Sequence, residues 1–130
     1  MTPRSILIVD DEANQRLMVE QALRALAFDW TISTAASGQE ALEALALQPS
    51  DLIITDYHMP VMNGLDLIAQ VRKRQIPSRI ILITAYSSPE LYDAAQQLQV
   101  DHYLTKPVPL TLLRRLATGA LEAAAGACDI

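Results

Sequence analysis

Ile6-Leu7-Ile8-Val9-Asp10-Asp11 is the stretch whose reading decides the fold. Four aliphatic residues follow one another with no polar alternation. Residues 5–9 therefore read as a strand buried on both faces, the kind that parallel sheets contain. Three further runs follow the same plan. Leu52-Ile53-Ile54 passes through Thr55 to Asp56, Ile80-Ile81-Leu82-Ile83 stops on Thr84, and Tyr103-Leu104-Thr105 stops on Lys106. As parallel strands of one sheet, these runs bring their carboxyl ends to a single edge. Ligands of open α/β sheets bind just beyond that edge. Three carboxylates, one hydroxyl and one ammonium would gather there, a set suited to a hard cation and a phosphoryl group.

Between the runs the pattern becomes amphipathic. Residues 12–27 read as a helix, with Val19, Ala22, Leu23 and Leu26 at helical spacing. Phe28 to Ala35 reads as a second strand. Ser37 to Leu47 reads as a helix capped by Ser37, with Glu40 at capping-box spacing, and Pro49-Ser50 closes it. Asp51–Thr55 is the third strand, followed by a loop from Asp56 to Asn63-Gly64 and a helix over Leu65–Arg74. After the turn at Pro77-Ser78 comes a fourth strand, Arg79–Ile83. Ser88-Pro89-Glu90 opens a fourth helix, with Pro89 in its first turn. Asp101–Thr105 is a short fifth strand, and the last helix runs from Leu110 to about Ala124. Five strands alternating with five helices predict a three-layer α/β/α fold. Right-handed crossovers place helices on both faces. One domain is expected over residues 1–125, with 126–130 a tail or the start of a linker.

The bulk properties narrow the function. A chain of 130 residues fits one domain, and 51% hydrophobic residues argue against disorder. The net charge of −5 argues against direct nucleic-acid binding, which rests on many Lys and Arg neutralising phosphates. The single cysteine, Cys128, permits no intrachain disulfide and fits a reducing compartment. The first apolar run ends on Asp10-Asp11-Glu12 and is too short for a signal peptide or membrane span. The expected location is the cytoplasm, without membrane contact.

Each polar strand end has an ordinary use when taken singly. Asp10-Asp11 suits a helix cap, Asp56 an Asx turn, Thr84 a strand position and Lys106 a solvated surface. As a set they support one another. Three carboxylates in one crevice resist ionising unless a cation compensates. Lys106 can bind phosphate oxygens as a point charge, and Thr84 can donate to one. A carboxylate can itself be the nucleophile and become an acyl phosphate. Asp56, aimed by a central strand, is the candidate, which leaves Asp10 and Asp11 for the metal.

With Asp10-Asp11, Asp56 inside Ile53-Ile54-Thr55-Asp56-Tyr57-His58-Met59-Pro60-Val61-Met62-Asn63-Gly64, Ile83-Thr84-Ala85, and Tyr103-Leu104-Thr105-Lys106-Pro107 all in order, the chain resembles the response-regulator receiver domains of two-component signalling. The resemblance covers essentially the whole chain, and extends to the single-domain chemotaxis regulators. It implies a flavodoxin-like, doubly wound sheet of order 2-1-3-4-5. Asp56 matches the phosphoacceptor. Asp11, Asp56 and the main-chain carbonyl of His58 match ligands of Mg2+ or Mn2+, and Asp10 matches a neighbour often acting through water. Thr84 matches the switch hydroxyl, Lys106 the phosphate-binding lysine, and Tyr103 the aromatic that moves between outward and inward positions. The Lys106–Pro107 bond is a cis candidate.

The resemblance further implies a regulatory phosphoacceptor whose only enzymatic activities are autophosphorylation from small phosphodonors and slow autodephosphorylation. A histidine kinase or phosphotransfer protein would supply the phosphoryl group. An output domain, a downstream protein or a second copy would then meet the surface of the fourth helix, fifth strand and last helix. The chain departs from the family's common pattern at His58 and Tyr86, which are expected to hinder an attacking water and lengthen the phosphoryl lifetime. Gln99-Val100 replaces a frequent Gly-Ala pair and Val108 a frequent Phe, which weakens any link to the winged-helix subgroup. Among rival functions, a haloacid-dehalogenase-type phosphatase calls for Asp-x-Asp and a cap insertion. A Rossmann-like nucleotide site calls for a glycine-rich first loop, where Asp10-Asp11-Glu12 would repel pyrophosphate. On the last helix, Leu112, Leu113, Leu116 and Leu121 read as largely core, and Arg114 and Arg115 as a solvated face.

Overall fold

The computed structural model describes residues 4–26 and 30–128, with side chains as far as Glu122. The expectations for Phe28 and for the Cys128 thiol lie outside the described residues. Ten elements alternate: β1 (Arg4–Val9), α1 (Ala13–Arg24), β2 (Trp30–Ala35), α2 (Gly38–Leu47), β3 (Leu52–Asp56), α3 (Gly64–Lys73), β4 (Arg79–Thr84), α4 (Pro89–Gln97), β5 (His102–Thr105) and α5 (Leu110–Cys128). The strands form one parallel sheet in the order β2-β1-β3-β4-β5, as expected.

The aliphatic runs make this sheet the middle layer. Alternate side chains of a strand face opposite sides, and here both sides are covered. Leu7, Val9, Ile53, Ile80 and Leu82 pack with Leu45 of α2, Leu67, Ile68 and Val71 of α3, and Ala95 of α4. Ile6, Ile8, Leu52, Ile54 and Ile81 pack on the other face with Leu23 of α1 and Leu113, Ala117 and Leu121 of α5. β2, an edge strand, instead exposes Thr31, Ser33 and Thr34.

The helix ends carry their own chemistry. The Ser37 side chain accepts from the Glu40 amide, and Ser88 caps α4 the same way, with Pro89 in its first turn. The reciprocal capping box occurs at Asn63 and Asp66, which opens α3 at Gly64. Two helices close with Schellman motifs. Gln75 and Gln99 each have φ 59°, the left-handed conformation that glycine favours. Their amides donate to Arg72 O and Gln96 O, while those of Ile76 and Val100 donate to Val71 O and Ala95 O. The Gln99-Val100 pair thus stands at a helix stop, with Val100 buried as its apolar anchor. Arg72 fastens this region: its guanidinium donates to the carbonyls of Leu98, Ser78 and Gln99, each at 2.9 Å.

Two expectations are corrected. Arg114 is not simply a solvated residue: its Nε donates to Ala22 O at 3.0 Å, satisfying a carbonyl in the last turn of α1. Arg115 is exposed as expected. The last helix continues to Cys128 instead of ending near Ala124, so residues 126–128 of the expected tail are helical. Alanine, the strongest helix former, dominates this stretch.

Replacing Gln75 or Gln99 with glycine removes the left-handed strain, which is about 1 kcal/mol for a side-chain-bearing residue, and part of this is offset by glycine's freer unfolded chain. Each variant is expected to gain about 0.5 kcal/mol, read as a higher denaturation midpoint in urea with an unchanged slope.

Candidate functional site

Asp10 follows the last residue of β1 and is held by backbone on both sides. Its amide donates to Ala35 O of β2 at 3.1 Å, and its Oδ1 accepts from the Glu12 amide at 2.9 Å. The Arg16 guanidinium donates to its carbonyl at 2.7 Å. Asp56 is the last residue of β3. Pairing persists beyond it, because the Tyr57 amide donates to Ile83 O at 2.8 Å. Gly64 then presses against this strand end. Its amide donates to Tyr57 O at 2.8 Å, and a Cβ on Gly64 would fall 2.6 Å from Asp56 O. Only glycine permits that approach. Between them, Val61 holds φ 69° while fully exposed. A β-branched residue in that region is strained, and the loop it bends carries Met59 into the core.

Asp10 is 8% exposed and Asp56 7%, whereas Asp11 is open to solvent. One carboxylate oxygen from each of the three lies within 4.8 Å of the others. Lys106 reaches in from the end of β5. Its Nζ sits 2.9 Å from Asp56 Oδ1, its amide donates to Thr84 O at 2.8 Å, and the following Lys106–Pro107 bond is cis. The Lys106 ammonium is thus the charged partner of Asp56 Oδ1, which is otherwise buried without a hydrogen-bond donor. Burial raises the Asp10 pKa, the Glu12 amide opposes this, and Asp56 raises it further. For Lys106 burial acts downward, but the contact with Asp56 and the charges of Asp56, Asp10 and Glu12 outweigh it and raise its pKa.

This electrostatic pattern fits a hard divalent cation. Three carboxylates against one ammonium leave an excess of negative charge in a largely buried place. Mg2+ or Mn2+ would relieve it. Asp10, Asp11 and Asp56 are the side chains placed to hold it.

The remaining predicted residues surround this centre. Thr84 is fully buried, and its hydroxyl is occupied within its own loop. It accepts from the Tyr86 amide at 3.1 Å and is placed to donate to Tyr86 O at 3.3 Å. The exposed His58 imidazole meets Tyr57 edge-on at a centroid distance of 4.9 Å and Tyr86 at 5.3 Å. Tyr103 is half-buried. Its hydroxyl shares a hydrogen bond of 2.8 Å with Ser87 Oγ, and its ring meets Tyr92 edge-on at 5.3 Å. Ser87 and Tyr92 were not singled out from sequence. Ser87 lies in the Ser-Ser-Pro segment that reads only as a helix start.

The family model for the response regulator receiver domain matches residues 6–118. The chain is 37% identical over 122 residues to the response regulator protein PilR of Pseudomonas aeruginosa, covering 94% of this chain and 27% of PilR. It is 32% identical over 124 residues to a probable chemotaxis protein CheY of Rhizobium etli, covering 94% of this chain and 92% of that protein. It therefore spans about a quarter of PilR and nearly all of the chemotaxis protein. Among solved structures, Vibrio cholerae CheY4 superposes with a TM-score of 0.80 at 32% identity, covering 90% of this chain and 98% of that one. The receiver domain of a Mycobacterium tuberculosis NarL regulator gives 0.85 at 26%, covering 94% and 98%.

A raised carboxyl pKa means that ionised Asp10 is less stable in the fold than in the unfolded chain, so its charge costs stability near neutral pH. Asp10→Asn is therefore expected to raise the melting temperature without divalent cations. The same variant should lose most of the rise that Mg2+ gives the wild-type chain. Thermal denaturation of both proteins with and without Mg2+ measures the two effects.

Proposed function

The chain belongs to the response regulator receiver domain family, and from that premise we propose that it is a phosphorylation-controlled binding module with Asp56 as phosphoacceptor. The observation that carries this reading is the Lys106 Nζ–Asp56 Oδ1 contact of 2.9 Å inside a cluster of three carboxylates. A histidine kinase or phosphotransfer protein would present a phosphohistidine. An Asp56 carboxylate oxygen attacks phosphorus, the P–N bond breaks, and the imidazole leaves with the bonding pair and takes up a proton. Phosphoryl transfer depends on positioning and charge neutralisation. Lys106 is placed to meet a phosphoryl oxygen. Asp11, Asp56 and the His58 carbonyl, with Asp10 beside them, would hold Mg2+ or Mn2+, which would supply charge neutralisation.

The phosphoryl group adds nearly two negative charges and strong acceptor oxygens. Thr84 would exchange its Tyr86 partners for one of them. Tyr103 would leave Ser87 and turn inward, altering the surface formed by α4, β5 and α5. This is a population shift between two states. The surface would then dock an output domain, a downstream protein or a second copy. Beyond accepting phosphoryl groups from small donors and releasing them slowly, no catalysis is assigned. No described helix is long and apolar enough to cross a membrane.

The edge-on contact joins two exposed rings, His58 on the loop after β3 and Tyr86 on the loop after β4, and it is the support for a shield at this end of the sheet. His58→Asn and Tyr86→Ala should each speed hydrolysis of the phosphorylated protein by roughly three- to tenfold, about a kcal/mol of barrier. Unchanged or slower loss of phosphate would count against shielding.

Incubation with a labelled small acyl phosphate and Mg2+ should label the wild-type chain and leave Asp56→Asn unlabelled. A phosphorylated band that persists in Asp56→Asn overturns the assignment.

A further inference from the structure

We propose that the chain binds a small apolar amine in a cavity that opens beside Asp56 and runs between α1 and α5. The cavity encloses about 420 Å3, within the range of small-molecule sites. Val19, Ile54, Ile83, Val108 and Leu113 form its apolar walls. Its back is closed, with Ile54 2% and Leu113 1% exposed, and its mouth is open at Met18, which is 47% exposed. Asp10, Asp56 and Lys106 line its polar end.

The two ends define the ligand. Apolar walls in a pocket open at one end favour an apolar guest, because the guest's surface leaves water as it enters. The walls therefore select an aliphatic body or a single aromatic ring. At the polar end two carboxylates face one ammonium. Lys106 Nζ stands 2.9 Å from Asp56 Oδ1 and offsets one of the two negative charges. A cationic head offsets the other. A neutral head leaves it uncompensated, and a carboxylate head adds a third negative charge to groups that already repel. A primary ammonium is the small head group that carries this charge and can donate to the carboxylates.

Binding itself needs no phosphoryl chemistry. One consequence rests on the function proposed above: the amine and Mg2+ compete for Asp10 and Asp56.

The test titrates phenethylamine, ethylbenzene and 3-phenylpropionate into the methyl-labelled full chain, followed by NMR without Mg2+. Phenethylamine should give saturable shifts at Ile54, Ile83, Val108 and Leu113, with half-saturation on the order of 1 mM. The other two should bind more weakly, 3-phenylpropionate weakest. Val108→Phe fills the cavity and should weaken the amine at least about tenfold, and the gentler Val108→Leu about threefold, with circular dichroism confirming both folds. Added Mg2+ should raise the half-saturation concentration severalfold. The proposal is overturned by the absence of saturable methyl shifts, by undiminished binding to a folded Val108→Phe chain, or by 3-phenylpropionate binding as tightly as the amine. It is equally overturned if Mg2+ shifts the Asp10 and Asp11 amides yet leaves amine affinity unchanged. If Mg2+ shifts neither amide while the amine still binds, the cavity stands and the phosphoacceptor reading is what fails.

Discussion

The fixed register of β1, β3 and β4 is the constraint on which the rest depends. These strands are buried on both faces, so a slip of one residue would send every side chain to the wrong layer. Leu7 and Ile53 face one set of helices, Ile6 and Ile54 the other. Pairing of Val9 with Thr55, Asp56 with Ile83 and Thr84 with Thr105 then sets the height of every strand end. The polar residues meet because the apolar ones cannot move. Gly64 tightens the same arrangement from above, since its backbone occupies the space that a side chain would need against Asp56.

What the sheet positions so firmly is an unfavourable set of charges. Asp10 and Asp56 are nearly buried, and Lys106 compensates only one negative charge. A buried ion pair rarely adds net stability, because desolvation offsets the attraction. The core of aliphatic side chains beneath must carry that cost. Local rules are broken at the same place. Val61 adopts a left-handed conformation, and Asp56 Oδ1 is buried with the Lys106 ammonium as its one partner among the described residues. Such departures concentrate where a protein binds or reacts.

The sheet and the identity of its polar ends were legible because they depend on local pattern. Unbroken aliphatic runs announced the buried strands, and the residues that stopped them announced the site. Features that depend on distant reach were not legible. Arg114 looked solvated from its neighbours, yet its partner Ala22 lies on α1. Arg72 gave no sign of gathering three carbonyls across the end of α4. Gln75 and Gln99 hid their left-handed conformations, since glycine is the usual marker of a Schellman stop. The α5 extension follows from alanine's helix propensity, which apolar spacing alone does not weigh. Thr84 was recognised as a hydroxyl at a strand end, but not as one whose bonding Tyr86 had already taken.

That last detail bears on how a switch in this chain would be balanced. Residues 84–87 touch both the site and the outer surface: Thr84 binds Tyr86, Tyr86 leans on His58, and Ser87 binds Tyr103. On the phosphoacceptor reading, activation must break the Thr84 and Ser87 bonds together. Neutral hydrogen bonds contribute about 1 kcal/mol each, while those to a charged group contribute about 1.5–3. Releasing these three neutral bonds, two at Thr84 and one at Ser87, thus costs about 3 kcal/mol. New contacts from Thr84 and Lys106 to a phosphoryl group return about 3–6. The difference is of the order needed to move a two-state equilibrium substantially without locking it. A weaker clasp at Ser87–Tyr103 would leave the surface partly switched before phosphorylation. A stronger one would hold it silent afterwards.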